Sequence, residues 1–221
     1  GRIVKLPDYN NDGEADFYQA LFNEDEPDKG WHAYNFDLEV GKDGSFYYGR
    51  TGGFSEWSVP GGVVKVSADG KSSTVLGAGL RVPNGIGKLP DGRITLGDNQ
   101  GTYVPASKIS ITSLDAFHGA GSWTKHGDKY DPEKIVKPIV YMPQELDSSS
   151  GGQLWVEKDK RLGPLSGQYF HPSYGKAATM YVMMDKINNV MQGAVYSLPL
   201  KMESGTMRAA KSPVEGPLYY S

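Results

Sequence analysis

The sequence predicts an all-β chain, a β-propeller made of four-stranded antiparallel blades. Three observations lead there. Glycine (29), tyrosine (14) and proline (14) are plentiful in the 221 residues, which suits short strands and tight turns better than helices. An Asp-Gly turn between two short apolar runs occurs at Asp43-Gly44 and again at Asp91-Gly92, and Asp-Gly fits the hairpin turn that needs positive φ. Strand pairs recur at roughly 40–60 residues per unit, the spacing of propeller blades.

The elements follow in order. The first hairpin joins the run from Asn35 to the run ending Phe46-Tyr47-Tyr48, and the second joins Gly85-Ile86-Gly87-Lys88 to Ile94-Thr95-Leu96. Weaker copies run from Leu154-Trp155-Val156 into Gly163-Pro164-Leu165-Ser166-Gly167-Gln168, and from Thr206-Met207-Arg208-Ala209-Ala210 into Pro217-Leu218-Tyr219-Tyr220. Each is preceded by another strand pair, beginning at Gly1, Gly62, Ser107 and Thr179. The expected units are therefore 1–61, 62–106, 107–178 and 179–221, each opening on an outer pair and closing on an inner pair. They make one propeller domain or fragment of about four blades, part of a larger ring of six or seven. A β-sandwich uses similar strands, but recurrence of the same hairpin argues against it. Residues 114–137 show no period and read as a long insertion on a loop face.

Composition narrows the function classes. With no cysteine, the chain has no disulfide, thiolate zinc site, thiol nucleophile or covalently attached c-type haem. A net charge of −3 with scattered basic residues argues against a nucleic-acid partner. No stretch is long and apolar enough to span a bilayer, and Gly1-Arg2-Ile3-Val4 is not a signal peptide. A chain opening directly on a strand-like run reads as processed or trimmed.

Three groups of residues bear on chemistry. In Asp8-Tyr9-Asn10-Asn11-Asp12-Gly13-Glu14-Ala15-Asp16, oxygen side chains alternate around a glycine, a pattern that lets a loop wrap a hard cation. Asp8, Asn10, Asp12 and Asp16 are the candidate calcium ligands, although Gln19 stands where an EF-hand has its bidentate Glu; an acidic turn without metal is the alternative. In the second group, Arg81, Asn84, Asp98, Asn99 and Gln100 flank one inner hairpin and are expected at one mouth of the channel, with ordinary turns as the alternative. In the third, His32 and His171 stand near inner hairpins, where a neutral imidazole is suited to act as general base; a lone loop histidine is otherwise polar surface. His118 and His126 lie in the insertion, as lid residues or without a role.

Gly79-Leu80-Arg81-Val82-Pro83-Asn84-Gly85-Ile86-Gly87, the Pro90-Asp91-Gly92 hairpin and Asp98-Asn99-Gln100-Gly101 resemble the propeller domain of planctomycete and verrucomicrobial "membrane-bound dehydrogenase" proteins. The resemblance continues through Gly163-Pro164-Leu165-Ser166-Gly167-Gln168, His171-Pro172-Ser173-Tyr174-Gly175, Gln192-Gly193-Ala194 and Ser204-Gly205-Thr206-Met207-Arg208-Ala209. Those proteins are distantly similar to soluble quinoprotein sugar dehydrogenases, six-bladed propellers that hold pyrroloquinoline quinone (PQQ) beside calcium. The resemblance implies His32 as the base that takes the sugar hydroxyl proton, Arg81 as the grip on the quinone carboxylates, and Asn84, Asn99, Gln100 and Arg208 as further cofactor contacts. It places Asp98 at the cofactor calcium, where this chain lacks the family's histidine and proline.

The leading expectation is thus a bacterial periplasmic or extracellular quinone-dependent oxidoreductase acting on sugars or other alcohols. Its electrons would pass to a separate cytochrome, and further chain or subunits would complete its ring. Two alternatives remain at this point: a non-catalytic propeller module binding glycans or proteins in a secreted assembly, and a calcium-dependent lactonase-like hydrolase.

Overall fold

The computed structural model describes residues 1–24, 34–52, 61–101, 104–120, 133, 135–200, 202–212, 214 and 216–221. Strands β1 (Arg2–Lys5) and β2 (Gln19–Asn23) form a two-stranded sheet. Strands β3 (Asn35–Val40), β4 (Phe46–Arg50), β5 (Gly62–Val66) and β6 (Ser73–Leu76) form the first four-stranded sheet. The second holds β7 (Gly85–Lys88), β8 (Ile94–Asp98), β9 (Ala106–Ile111) and β10 (Val140–Pro143). The third holds β11 (Leu154–Val156), β12 (Gln168–Ser173), β13 (Ala178–Ile187) and β14 (Val190–Ser197). A last two-stranded sheet pairs β15 (Ala209–Lys211) with β16 (Leu218–Tyr220).

Every paired neighbour is antiparallel and follows the chain order. The Asp-Gly turns close the first two hairpins as expected, with Gly44 at φ +79° and Gly92 at φ +92°. The third differs. Between β11 and β12 the chain makes a 3₁₀ stretch, Lys160–Leu165, capped by Asp159, whose side chain accepts from the Arg161 N–H. Pro164 has no N–H to give a ladder, so strand pairing begins only at Gln168.

The blades run out of phase with the expected units. The first two four-stranded sheets open on their Asp-Gly hairpins and the third on the pair joined by the 3₁₀ stretch, and each closes on the pair that follows; in the first, β4 continues its ladder into β5 from Phe46↔Val66 to Arg50↔Gly62. The units 1–61, 62–106, 107–178 and 179–221 therefore straddle two sheets each. First strands β3, β7, β11 and β15 pack on one another in turn and line the axis, whereas contact between β10 and β14 lies at the rim.

The core consists of the layers between sheets, and strand alternation builds it. Tyr48, Val64 and Val66 turn toward β1–β2 and meet Ile3 and Phe22. Tyr47 and Val63, one residue away in each strand, turn to the opposite face and meet Leu80, Ile86, Ile94 and Leu96 of the next unit. Ile109, Ile139 and Met142 meet Tyr169, Met180 and Val182 in the third layer. Each fully buried side chain of this kind contributes about 1.5–3 kcal/mol of transfer free energy, so a sheet apolar on both faces is stable only between neighbours.

Residues 114–137 connect β9 to β10. Its described part is mixed: Leu114 and Asp115 are exposed, whereas 116–120 packs inward, with Ala78 N–H donating to Ala116 O (2.8 Å), His118 N–H to Ala78 O (2.8 Å) and Ala120 N–H to Gly79 O (2.6 Å). This segment fills the cleft between the first two four-stranded sheets, and His118 is fully buried there rather than poised as a lid. His126 lies outside the described residues.

Candidate functional site

The connection from β6 to β7 delivers the Arg81-Val82-Pro83-Asn84 turn to the inner end of the second sheet, where β8 ends at Asp98. The turn is closed on itself by Asn84 N–H to Val82 O (2.9 Å) and tied to β8 by Asn99 N–H to Val82 O (3.3 Å). Asp98 is fully buried, and its Oδ1 accepts from the Val82 N–H (2.8 Å) and the Arg81 N–H (3.1 Å). Its Oδ2 lies 3.6 Å from Lys108 Nζ, directly across the β8–β9 ladder. Burial pushes the Asp98 carboxyl up from its ordinary range, against the pull of Lys108 and the two backbone donors. Lys108 also donates to the His118 carbonyl.

The Arg81 guanidinium is half-buried and makes no hydrogen bond or ion pair among the described residues. Asn84 is buried; its Nδ2 points at Met207 Sδ (3.5 Å), while its Oδ1 has no partner. Gln100 is half-buried near the same end of β8. These three side chains have capacity left for a ligand.

Other expected site residues are committed elsewhere. Arg208 uses all its nitrogens: Nε to Asp37 Oδ1 (3.0 Å), Nη1 to Met207 O (2.8 Å) and Nη2 to Asn84 O (2.7 Å). Asp37 sits on a bulge in β3 at φ +61°, which turns its carboxylate toward the axis; its Oδ2 accepts from Ile86 N–H (2.8 Å). One Arg–Asp pair thus links β3, β7 and the entry to β15. We expect Asp37→Asn to lower stability by about 1–3 kcal/mol in urea unfolding, since it leaves a partly buried guanidinium without its counter-charge. A change below a few tenths would show the clasp to be idle.

His171 does not reach the channel. It is fully buried on β12, between the second and third four-stranded sheets. Gln153 Nε2 donates to its Nδ1 (3.3 Å), which leaves Nε2–H to donate to Asp147 Oδ1 (3.3 Å). Ser150 Oγ donates to Asp147 Oδ2 (2.6 Å), Thr95 Oγ1 to Gln153 Oε1 (3.3 Å), and the Thr95 and Tyr169 hydroxyls bond each other. Burial raises the Asp147 carboxyl, but the bonds from His171, Ser150 and Ser173 outweigh it and hold it at about 2. Asn99 joins this seam, its Oδ1 accepting from Ser150 N–H (2.9 Å). The serine here bonds the aspartate and not the histidine, so the cluster ties two sheets together and has no hydrolase geometry. A polar network with its bonds made is a strong inter-sheet weld in place of apolar packing.

In the 8–16 loop, the carboxylates fold onto their own backbone. Asp8 accepts from Asp12 N–H (3.2 Å) and Gly13 N–H (3.0 Å), Asp12 from Glu14 N–H (2.8 Å), and Asp16 from Tyr9 N–H (2.6 Å); Asn10 Nδ2 donates to Asp12 (2.9 Å). Among the described residues, no three His, Cys, Asp or Glu side chains gather as a metal site. His32 lies outside the described residues.

Sequence reading missed Asp37, Lys108, Asp147 and Gln153. Neither charged strand residue stood out in the sequence: Asp37 falls between Phe36 and Leu38, and Lys108 shares its phase with Ala106 and Ser110, so each occupies a position where alternation allows a polar side chain.

The sheets and their inner strands define a β-propeller of four-stranded antiparallel blades. Over 99% of its length the chain superposes on the soluble aldose sugar dehydrogenase of Escherichia coli in its apo form, with a TM-score of 0.70 and 11% identity, covering 69% of that chain. The PQQ-bound aldose sugar dehydrogenase of Streptomyces coelicolor matches with a TM-score of 0.70 and 14% identity, covering 65% of that chain. A putative oxidoreductase (glucose dehydrogenase) of Thermus thermophilus matches with a TM-score of 0.66 and 16% identity, over 67% of its length. The chain thus spans about two thirds of these structures. The likeness is one of fold. No family model matches the chain, and a search of curated proteins gives no match.

Proposed function

We propose that this chain belongs to an extracytoplasmic oxidoreductase that uses PQQ to oxidise sugars or other alcohols. The observation that carries the reading is Arg81: a half-buried guanidinium without a protein partner among the described residues, at the inner end of a propeller whose fold is shared with sugar dehydrogenases. A guanidinium with no protein counter-charge among the described residues is open to a charge-assisted, bidentate pair with a carboxylate, and a quinone bearing carboxylates supplies one. The orphaned Asn84 Oδ1 and the half-buried Gln100 add an acceptor and an amide at the same mouth. When bound, the quinone is the hydride acceptor. The chain's part is to orient it by a charge-assisted grip from Arg81 and to exclude water from its buried edge. His32 is retained as the proposed base for the alcohol proton.

Calcium fits less well. The Asp98 oxygens face backbone N–H groups and Lys108, not the mouth. A metal-dependent hydrolase that needs Asp98 as a ligand meets the same obstacle, and calcium at the 8–16 loop would require Asp8, Asp12 and Asp16 to leave the backbone N–H groups they hold. The membrane-bound dehydrogenase resemblance, a cytochrome acceptor and a periplasmic or extracellular location are parts of the same proposal. Among the described residues, no helix is long and apolar enough to cross a membrane. Further strands, from more chain or another subunit, are proposed to complete the sheets that among the described residues hold β1–β2 and β15–β16.

The test is titration of the purified protein with PQQ, with and without calcium, followed by dye reduction with a sugar panel. Arg81→Ala should weaken quinone binding about 10–100-fold, the loss of a charge-assisted contact of about 1.5–3 kcal/mol. Its melting temperature should stay put, because the side chain holds nothing else among the described residues. Absence of quinone binding by the wild type would remove the proposal.

A further inference from the structure

We infer that Asp98 is a positioning residue for Arg81: it fixes the backbone that presents the guanidinium, with Lys108 as its buried counter-charge. The inference rests on the reading of Arg81 as the ligand-gripping group. A carboxylate at the end of an inner strand is ordinarily taken as a metal ligand or catalytic acid, yet here both oxygens turn inward. Oδ1 receives two consecutive N–H groups, from Arg81 (3.1 Å) and Val82 (2.8 Å), and Oδ2 also lies within 3.2 Å of the Arg81 nitrogen. Charge-assisted bonds of this kind are about twice as strong as neutral ones.

Burial makes the clamp conditional. Asp98 has no exposed surface and Lys108 is 6% exposed, so neither charge is tolerable there without the other. Lys108 is fixed in turn by the His118 carbonyl, on the segment that fills the cleft between sheets. The far side of the turn is held independently: Arg208 Nη2 donates to Asn84 O (2.7 Å), and Asp37 neutralises Arg208. The four-residue turn is therefore gripped by a carboxylate on its donors and a guanidinium on its acceptor. The one charged side chain on the turn, Arg81, is left unpaired among the described residues. This is how a binding group is pre-organised: the ordering cost is met on folding, not when the ligand arrives.

The experiment compares wild type, Asp98→Asn, Arg81→Ala and the Arg81→Ala/Asp98→Asn and Asp98→Asn/Lys108→Met double variants as full chains. Amide hydrogen exchange reads the clamp and PQQ titration reads its consequence. Asp98→Asn presents an amide where two N–H groups need an acceptor. Exchange at Arg81 and Val82 should quicken at least tenfold while the β-strand amides keep their protection. Quinone affinity should fall about tenfold in Asp98→Asn, with no further fall in the Arg81→Ala/Asp98→Asn variant beyond Arg81→Ala alone. The Asp98→Asn/Lys108→Met double variant, which leaves no lone buried charge, should reproduce the local exchange effect, and it decides the matter if Asp98→Asn alone does not fold. Unchanged exchange at the turn overturns the inference, and so do uniform loss of protection and additive loss of affinity. If wild type binds no quinone, the functional reading fails, while the exchange data still decide whether Asp98 holds the turn.

Discussion

Gly85→Ala is expected to abolish the native fold. Gly85 opens β7, an inner strand, and faces the entry to β11 in the next sheet. A Cβ at this position would fall onto the Gly151 carbonyl and the Gly152 nitrogen, which are backbone atoms that cannot rotate away. The same face continues the constraint: at Gly87 a Cβ would come 2.5 Å from the Tyr169 hydroxyl, and at Gly97 2.6 Å from Gln153 Nε2. Overpacking of flexible side chains costs about 1–3 kcal/mol, and here the neighbour is backbone, so the loss should exceed about 4 kcal/mol, a large fraction of a domain's stability. Soluble yield and near-ultraviolet circular dichroism should collapse together. Gly101→Ala is the control, because its nearest neighbour is the Val104 carbonyl at 3.7 Å, and it should melt like wild type. A Gly85→Ala protein that melts cooperatively within a few degrees of wild type would contradict the close approach of the inner strands.

Acid should destabilise the protein well above the usual carboxylate range, through His118. Burial lowers this imidazole from 6.5 to about 3, and the neighbouring Lys108 charge adds to the effect. Its Nε2 meets the Thr112 hydroxyl at 3.2 Å, and Asp98 is paired to Lys108 and not to the ring. The folded state therefore keeps His118 neutral while the unfolded chain takes up a proton below pH 6.5. The stabilisation is complete above pH 6.5 and declines as pH falls toward 3. At about 1.4 kcal/mol per unit, the loss is about 2–3 kcal/mol by pH 4.5 and on the order of 5 kcal/mol at the limit. Asp147 acts lower: with its carboxyl held at about 2 against an ordinary 3.8, its contribution is present above 3.8 and is lost between there and 2. Urea unfolding at pH 7.0 and 4.5 should show the His118 decline, and His118→Gln should flatten it. Equal slopes in the two proteins would refute this account.

Much of the fold was legible because strand alternation and turn chemistry are local. Asp43-Gly44 and Asp91-Gly92 need only their own backbone to reverse the chain, and the apolar runs at Gly62, Ser107 and Thr179 need only period-two patterning. Blade phase was not legible. The pair at Gly62 joins the hairpin before it, through the ladder from Phe46↔Val66 to Arg50↔Gly62, and period-two patterning is the same whichever hairpin a pair joins. The candidate site divides in the same way. The Arg81–Asn84 turn and the end of β8 lie at the same end of one sheet, as their sequence neighbourhood suggests, because a turn before an inner strand and the end of the following strand must meet there. His171 occupies a similar sequence position, after the inner hairpin of its unit, and yet points between sheets.

The sequence by itself determined an all-β propeller, its hairpins and the neighbourhood of the Arg81 turn, since each follows from contacts a few residues apart. Only the tertiary structure decided which charges were spent on the scaffold. Asp98, Arg208 and His171 find their partners in Lys108, Asp37 and Asp147, at sequence distances of 10, 171 and 24 residues, and only packing sheet on sheet brings them together. Arg81 keeps its capacity for a ligand because Asp98, paired with Lys108, and Arg208, paired with Asp37, hold the turn beneath it.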